Sequence, residues 1–544
     1  MPTLRWLTRD DDVKAADAVP YRLLEEVPEL SYGDRDTGNM LIQGDNLDAL
    51  KALLPYYAGK IKCIYIDPPF NTGQAFEHYD DNVEHSVWLG LHWPRFELLR
   101  GLLAENGTLV VHLDDNQLAY ATVILDELFG RKNRITFCTF KQGSAVGHKS
   151  INPGMVTTTN YLIVYAKNKN EWTPNKVFTS RERDKRYSKY IENVDENFKD
   201  WTLTSLNKAF CEHHESTISD LKKKWGKENY EAKLSEFVLN NPERVIRDAR
   251  PDYKAVGQET RDLIDHSKKH PNELFLQKRE KHSDIYLKDG ERWLFYKDKL
   301  KLIDGVWVSG EPLTNLWDDL LSNNLHNEGG VKFPKSKKPE ALVKRCFELF
   351  TDENDWVLDS FLGSGTTAAV AHKFRRHYIG IEMGDHATTL CKPRLDNVVD
   401  GDQSGVSKAI NWDGGGGFRF FKLGPSIFDE TGQIRPDIEF HTLAAHIWFY
   451  EVGLPWDKPQ NLTPILGQHE GKSYALLYNG VLGDKQVNGG NVLTRQTLKV
   501  IRNAMDIKTL PIVIYGERSA LSESSLKREK ITFKQTPYDV KARA

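Results

Sequence analysis

Apolar and polar positions run along the chain in blocks whose period changes. From Met40, MLIQGDNLDALKALL gives a short apolar run and a turn. A helical spacing then puts Leu47, Leu50, Leu53 and Leu54 on one face. IKCIYIDPPFNTG follows, where Ile61, Cys63, Ile64, Tyr65 and Ile66 predict a strand and Asp67 opens the loop beyond it. WLGLHWPRFELLRGLL has helical spacing, Gly107 precedes a second strand, TLVVHLD, and QLAYATVILDELFG predicts a helix ending at Gly130. Strands that are apolar throughout, alternating with amphipathic helices, predict a parallel sheet covered on both faces.

The alternation then stops. RITFCTFKQGS and NYLIVYAKN predict two further strands. Beyond them the chain is polar with dense charge of both signs, as in RERDKRYSKY, LKKKWGKENY and LQKREKHSD, with aromatics interleaved. This stretch predicts an inserted, mostly helical domain closing on a hairpin at WLFYKDKLKLIDGVWVS. The α/β pattern returns in KPEALVKRCFELF (helix), DWVLDSFLGSG (strand and loop), TTAAVAHKF (helix) and HYIGIEM (strand). After the glycine bridge Gly414–Gly417 a small α/β unit is expected, from SYALLYN through LTRQTLKVIRNA, LPIVIYGE and SLKREKI to TFKQTPY. The predicted organisation is an N-terminal arm (1–38), one half of an α/β core (39–168), an insert (169–325), the second half of the core (326–400) and a C-terminal α/β module (401–544).

Composition narrows the class. With 39% hydrophobic and 28% charged residues the chain is globular, not disordered or membrane-embedded. No apolar run approaches the ~20 residues of a membrane span, and MPTLRWLTRDDD has no apolar signal region. Lys plus Arg is 74 against 77 Asp plus Glu, a net charge of −3. That excludes a uniformly basic nucleic-acid protein but not a local basic surface, since binding uses a face. Cys63, Cys138, Cys211, Cys346 and Cys391 are scattered and odd in number. Neither a disulfide framework nor a cysteine zinc site is expected, the histidines lack ligand spacing, and free thiols suit a reducing cytosol.

Two strand ends carry the chemistry. In Asp67-Pro68-Pro69-Phe70 two prolines remove backbone donors and stiffen the loop. Carboxylate and carbonyl acceptors beside a flat aromatic suit an exocyclic amine on a stacked planar base, although a proline pair also serves as a plain turn. In Asp359-Ser360-Phe361-Leu362-Gly363-Ser364-Gly365-Thr366-Thr367, Gly363 and Gly365 let the backbone turn and approach a ligand after a strand. The third glycine of the dinucleotide fingerprint is missing. Glu382, at the end of the next strand, is placed to accept ribose hydroxyls. A tight turn without ligand is the alternative. Gly44-Asp45-Asn46 reads first as a helix N-cap. Gly143 to Ser150 mimics a phosphate loop, but it is one residue short between its glycines. His148 intrudes before Lys149, and Asn152-Pro153-Gly154 breaks any following helix.

DPPF and DSFLGSGTT in one chain resemble the amino-group DNA methyltransferases that use S-adenosylmethionine. The catalytic loop precedes the cofactor loop, as in their permuted β class. LIQGDNLDAL, IYIDPPFNTG, LHWPRFELLRGLL, LWDDL, KKPEALVKR, VLDSFLGSGTTAAVAHK, GGGGFRFFKLG and ITFKQTPYDVK most resemble the modification (Mod) subunits of type III restriction-modification systems. The resemblance runs from about Met40 to the C-terminus and is weakest across the insert. It implies a Rossmann-like α/β methyltransferase core with an inserted target-recognition domain and a C-terminal α/β module. It implies catalytic roles for Asp67, Pro68, Pro69 and Phe70. It also implies cofactor contacts from Asp45, Lys338, Asp359, Phe361, Gly363, Ser364, Gly365, Thr366 and Glu382, and no metal. Asp at the first DPPF position leans towards adenine, since many cytosine-N4 enzymes carry Ser there.

The implied activity is site-specific adenine-N6 methylation of double-stranded DNA by a flipped-base mechanism. The implied partners are a second copy of the chain and a helicase-nuclease restriction subunit, in a prokaryotic cytosol. The insert, rich in Lys, Arg, Asn, Gln and aromatics, suits target recognition. A stand-alone methyltransferase, or a recognition subunit with a silent site, are the alternatives. The long tail after Gly417 weighs against the first and the intact DPPF, GSG and Glu382 against the second. Methylation of RNA or of protein glutamine usually goes with Asn in place of Asp67.

Overall fold

The structure, a computed structural model, describes residues 2–70, 84–143, 154–280, 282–320, 325–331, 337–479, 481, 490–537 and 539–540. Most of the phosphate-loop mimic, residues 144–150, lies outside them.

Among the described residues the core is an eleven-stranded sheet. Its spatial order is Arg22–Glu26, Gly417–Ser426, Met40–Gln43, His377–Glu382, Trp356–Asp359, Ile61–Ile66, Leu103–Leu113, Thr159–Ala166, Arg134–Lys141 and Leu316–Trp317, with Tyr32–Gly33 paired to Gly417–Ser426. The six strands from Gly417–Ser426 to Leu103–Leu113 run parallel. Thr159–Ala166 is antiparallel to both its neighbours. The central strands Ile61–Ile66, Trp356–Asp359 and Met40–Gln43 are largely apolar because both their faces are covered. Ile64 and Ile66 join a cluster with Leu50, Leu53, Trp88, Phe96, Leu99 and Ile124 from the helices Asn46–Tyr57, His85–Leu102 and Asp115–Leu125. Cys63 and Tyr65 alternate to the opposite face, where the helix Glu340–Phe350 packs on their strand.

Two central strands set the site. From Ile61–Ile66 the chain crosses by the helix His85–Leu102 to Leu103–Leu113 on one side. From Trp356–Asp359 it crosses by the helix Thr366–Lys373 to His377–Glu382 on the other. Neighbouring strands whose connections leave in opposite directions form a topological switch point, and the loops at their carboxyl ends flank a crevice.

Several sequence expectations change. The 1–38 segment, expected as a lead-in arm, supplies the edge strand Arg22–Glu26, antiparallel to Gly417–Ser426. That second strand pairs with Met40–Gln43 and so belongs to the main sheet, not to the C-terminal module. The insert is a compact unit over Lys176–Leu313. It is not mostly helical. It holds an antiparallel six-stranded sheet, ordered Leu203–Ser205, Lys189–Ile191, Val245–Ala249, Glu291–Phe295, Ile285–Lys288 and Leu274–Gln277. A second, three-stranded sheet joins Leu300–Ile303, Val306–Pro312 and Phe178–Ser180, and the first two of these form the expected hairpin. The strands read as polar because one face of each is solvated: Ile246 and Leu287 are buried while their neighbours Arg247 and Lys288 are half-exposed. Near the C-terminus, Lys472–Leu476, Ile512–Gly516 and Ile531–Gln535 run parallel, with the helix Arg495–Ala504 between the first two, as the pattern predicts. No helix among the described residues is long and apolar enough to cross a membrane.

Candidate functional site

Parallel pairing of Val357 with Cys63 and of Leu358 with Ile64 brings Asp359 level with Tyr65. The loop that begins at Asp67 and the loop that begins at Ser360 therefore leave the sheet side by side. Next to them, pairing of Asp359 with Gly380 carries Glu382 to the same edge.

Asp67 is mostly buried, with 17% of its side chain exposed. Its Oδ2 lies 2.5 Å from Lys338 Nζ, and its Oδ1 lies 3.4 Å from His112 Nδ1. His112 is fully buried in the apolar strand Leu103–Leu113. The Asn160 amide donates to its Nε2 at 3.0 Å, which leaves Nδ1 as the N–H nitrogen facing Tyr65 Oη at 3.0 Å and Asp67. Burial, reinforced by the charge of Lys338, pushes the His112 pKa well down, so the ring is neutral. Lys338 is thus a positive partner of Asp67, and its Nζ also lies 4.8 Å over the Phe70 ring. Phe70 packs 5.2 Å from the His112 ring.

The proline loop is held from behind. Trp88 Nε1 donates to the Pro69 carbonyl at 2.8 Å. Trp88 stacks on His92 at 4.0 Å, and His92 stacks on Phe361 at 5.7 Å with 14° between planes. His92 Nδ1 donates to the Trp88 carbonyl at 2.7 Å, and burial pushes its pKa down to about 3. Residues one helical turn apart thus tie the Pro69 loop to the Phe361 loop.

In the second loop, Gly363 and Gly365 take φ of 57° and 78°, which a side chain would oppose. A Cβ on Gly365 would also meet the Cys391 backbone at 3.3 Å. Phe361 N–H donates to Asp359 Oδ1 at 2.9 Å, and Gly363 N–H to Glu382 Oε2 at 2.7 Å. Burial pushes the Asp359 pKa up to about 7, and the nearby Asp67 and Glu382 add to it against hydrogen bonds from Thr367 and Phe361 N–H. Beneath the loop, Arg394 donates to Thr366 Oγ1 at 2.7 Å and to Glu340 Oε1 at 2.7 Å, while Lys373 Nζ sits 2.9 Å from Glu340 Oε2. All three of these charged side chains are fully buried.

The structure thus gathers Asp67, Phe70 and Lys338 in one group and Asp359, Phe361, Gly363 and Glu382 in the next. Ser364 and Thr366 turn their hydroxyls towards Arg394, below the loop. Asp45 caps the helix Asn46–Tyr57 through Leu47 N–H and pairs with Arg95 at 3.2 Å. Its neighbour Asn46 donates to the Ser360 carbonyl at 2.8 Å, so the Gly44-Asp45-Asn46 turn braces the second loop. Sequence reasoning missed Trp88, His92, His112 and the Glu340–Arg394–Lys373 group. A histidine inside an apolar strand was the signal for His112. Among the described residues no cluster has metal-ligand geometry.

The donor set fits the implied cofactor. Carboxylates suit ammonium, sulfonium and ribose hydroxyl groups, and a left-handed glycine turn lets a ligand approach the backbone. Ser360 Oγ is buried at this loop with no hydrogen-bond partner among the described residues.

The sequence profile of the DNA methylase family matches residues 61–392, a span holding both loops and Glu382. The protein named "Probable type III restriction-modification enzyme HindVI Mod subunit" of Haemophilus influenzae is 32% identical over 417 residues, 73% of this chain and 55% of that protein. The type III restriction-modification enzyme EcoP15I Mod subunit of Escherichia coli is 25% identical over 514 residues, 83% of this chain and 75% of that one. The StyLTI Mod subunit of Salmonella typhimurium is 26% identical over 383 residues, 63% of this chain and 51% of that one. The chain thus spans only about half the length of the first and third of these relatives.

Two stability outcomes follow from the buried charges. Glu340→Ala leaves Arg394 and Lys373 without their shared carboxylate, which costs on the order of 3–5 kcal/mol in denaturant unfolding. Asp359 carries a folded pKa of about 7 against 3.8 unfolded, so its contribution is full below pH 4 and is lost as pH rises through 7. Asp359→Asn is therefore more stable to denaturant unfolding than the ligand-free native chain above pH 7, by a few kcal/mol at most, and the gap closes towards pH 4.

Proposed function

The chain belongs to the DNA methylase family, and from that premise we propose that it is an adenine-N6 DNA methyltransferase, the modification subunit of a type III restriction-modification system. The observation that carries this is the side-by-side placement of Asp67 and Phe70 with the Asp359–Gly365 loop across the switch point. The Mod relatives support the type III assignment, and Asp67 at the first DPPF position supports adenine over cytosine. A prokaryotic cytosol, a second copy of the chain and a helicase-nuclease restriction subunit complete the proposal.

A base within a duplex cannot reach these loops, so it is flipped out at a cost of a few kcal/mol. Stacking on Phe70 returns roughly 1–3 kcal/mol. The Asp67 carboxylate and the Pro68 carbonyl accept the two hydrogens of the exocyclic amine, which turns the nitrogen lone pair towards the second loop. S-adenosylmethionine, when bound, supplies the electrophilic methyl group. Asp359 and Glu382 would hold its cationic and hydroxyl groups, Gly363 and Gly365 would let it approach the backbone, and Phe361 would pack against it. Catalysis is then largely positioning, which no covalent nucleophile on the chain is needed to assist. The Lys176–Leu313 unit reads the target sequence, and phosphate contacts make binding fall with salt.

Single-molecule sequencing of DNA from a methylation-free host expressing the chain tests this. N6-methyladenine is expected at one short asymmetric site. Asp67→Ala abolishes that signal while cofactor binding survives. Unmodified DNA from the wild-type chain with bound cofactor would refute the enzymatic reading. Trp88→Phe keeps the ring stack and removes only the hydrogen bond to Pro69. Its loss of about 1 kcal/mol lowers kcat roughly fivefold in steady-state assays, with cofactor affinity by calorimetry unchanged.

A further inference from the structure

The resemblance groups Lys338 with the cofactor residues, and its backbone does lie there, the carbonyl accepting from Thr366 Oγ1 at 3.4 Å. Its side chain goes to the other loop. Nζ stands 2.5 Å from Asp67 Oδ2 and 4.8 Å over the Phe70 ring, with 12% of the side chain exposed. These are the two groups that the proposed function gives to the base, the acceptor for its amine and the plate for its ring. One ammonium serves both, as an ion-paired donor and as a cation on an aromatic face.

We propose that Lys338 belongs to the base pocket, where its ammonium holds the amine position against Asp67 and Phe70 until the flipped base displaces it. This rests on the methyltransferase reading. A carboxylate so placed, beside Asp359 and Glu382, needs a counter-charge before any base arrives. His112 is neutral and cannot supply one. The four-carbon stem lets the ammonium swing away while the backbone stays on the Thr366 side. The exchange is selective. A base carrying an amine restores the hydrogen bond to Asp67 and covers Phe70. A base carrying a carbonyl there covers Phe70 but sets an acceptor against Asp67, so the lysine stays. Lys338 thereby raises the threshold for entry and favours adenine and cytosine over thymine.

Lys338→Met and Lys338→Arg in the full chain test this in two arms. Without DNA, calorimetric affinity for S-adenosylhomocysteine stays within roughly threefold of wild type in both variants. A loss of about tenfold or more returns Lys338 to the cofactor site and overturns the proposal. On a duplex carrying the site found by sequencing, Lys338→Met lowers the KM for DNA roughly fivefold. Lys338→Arg, which keeps the cation, shows no such fall, and an equal fall there overturns the proposal. A KM unchanged or raised in Lys338→Met also overturns it. If the wild-type chain modifies no DNA, the methyltransferase reading falls by itself, and the calorimetric arm still decides which pocket Lys338 serves.

Discussion

Val357 beside Cys63 and Leu358 beside Ile64 join two segments that lie far apart in the chain. Every feature of the site depends on that parallel register. A slip of one residue would turn Val357 and Leu358 to the opposite faces of the sheet and carry Asp359 with them. It would also move Phe361 away from His92, and the Trp88–His92–Phe361 stack would no longer bridge the loops. Burial enforces the register: Cys63, Ile64, Val357 and Leu358 are all fully enclosed, and the helices on both faces accept only one alternation.

Stacking parallel strands with acidic carboxyl ends concentrates negative charge, and the fold neutralises each carboxylate differently. Asp67 takes Lys338, Glu382 takes the Gly363 N–H, and Asp359 responds by holding its proton towards neutral pH. Beneath the loop, Glu340 is shared by Arg394 and Lys373. Buried ion groups of this kind add little net stability over an apolar core, but removing one member is costly. Their effect here is positional, because Arg394 reaches from Glu340 to Thr366 and fixes the start of the helix behind the glycine turn.

How much was legible in the sequence follows from how local each signal is. The strand–loop–helix units around Asp67 and Asp359 were legible, because apolar runs, prolines and glycines act within a few residues of themselves. The helix cap at Asp45 was legible for the same reason. The antiparallel sheets of the insert were not, since one solvated face hides a period of two among charges. The edge strand Arg22–Glu26 needs a partner almost at the other end of the chain. Lys338 was assigned by its neighbours in sequence, and a lysine stem is long enough to leave them. His112 and Trp88 matter only through Asp67 and Pro69, contacts that no spacing reveals.

One helix joins these themes. Both stems of the insert are pinned to Glu340–Phe350 or just beyond it: Asn175 N–H donates to the Leu349 carbonyl, and Asp319 makes a bidentate pair with Arg345 at 2.8 and 2.7 Å. Leu316–Trp317 then joins the sheet edge beside Thr139 and Phe140. The same helix starts at Glu340, which holds the second loop through Arg394, directly after Lys338 and Pro339. At this end, Lys338 pairs with Asp67 just before the helix begins, and Glu340 lies beneath the glycine turn. The segment from Lys338 to Leu349 thus meets both loops at its start and anchors the two stems further along.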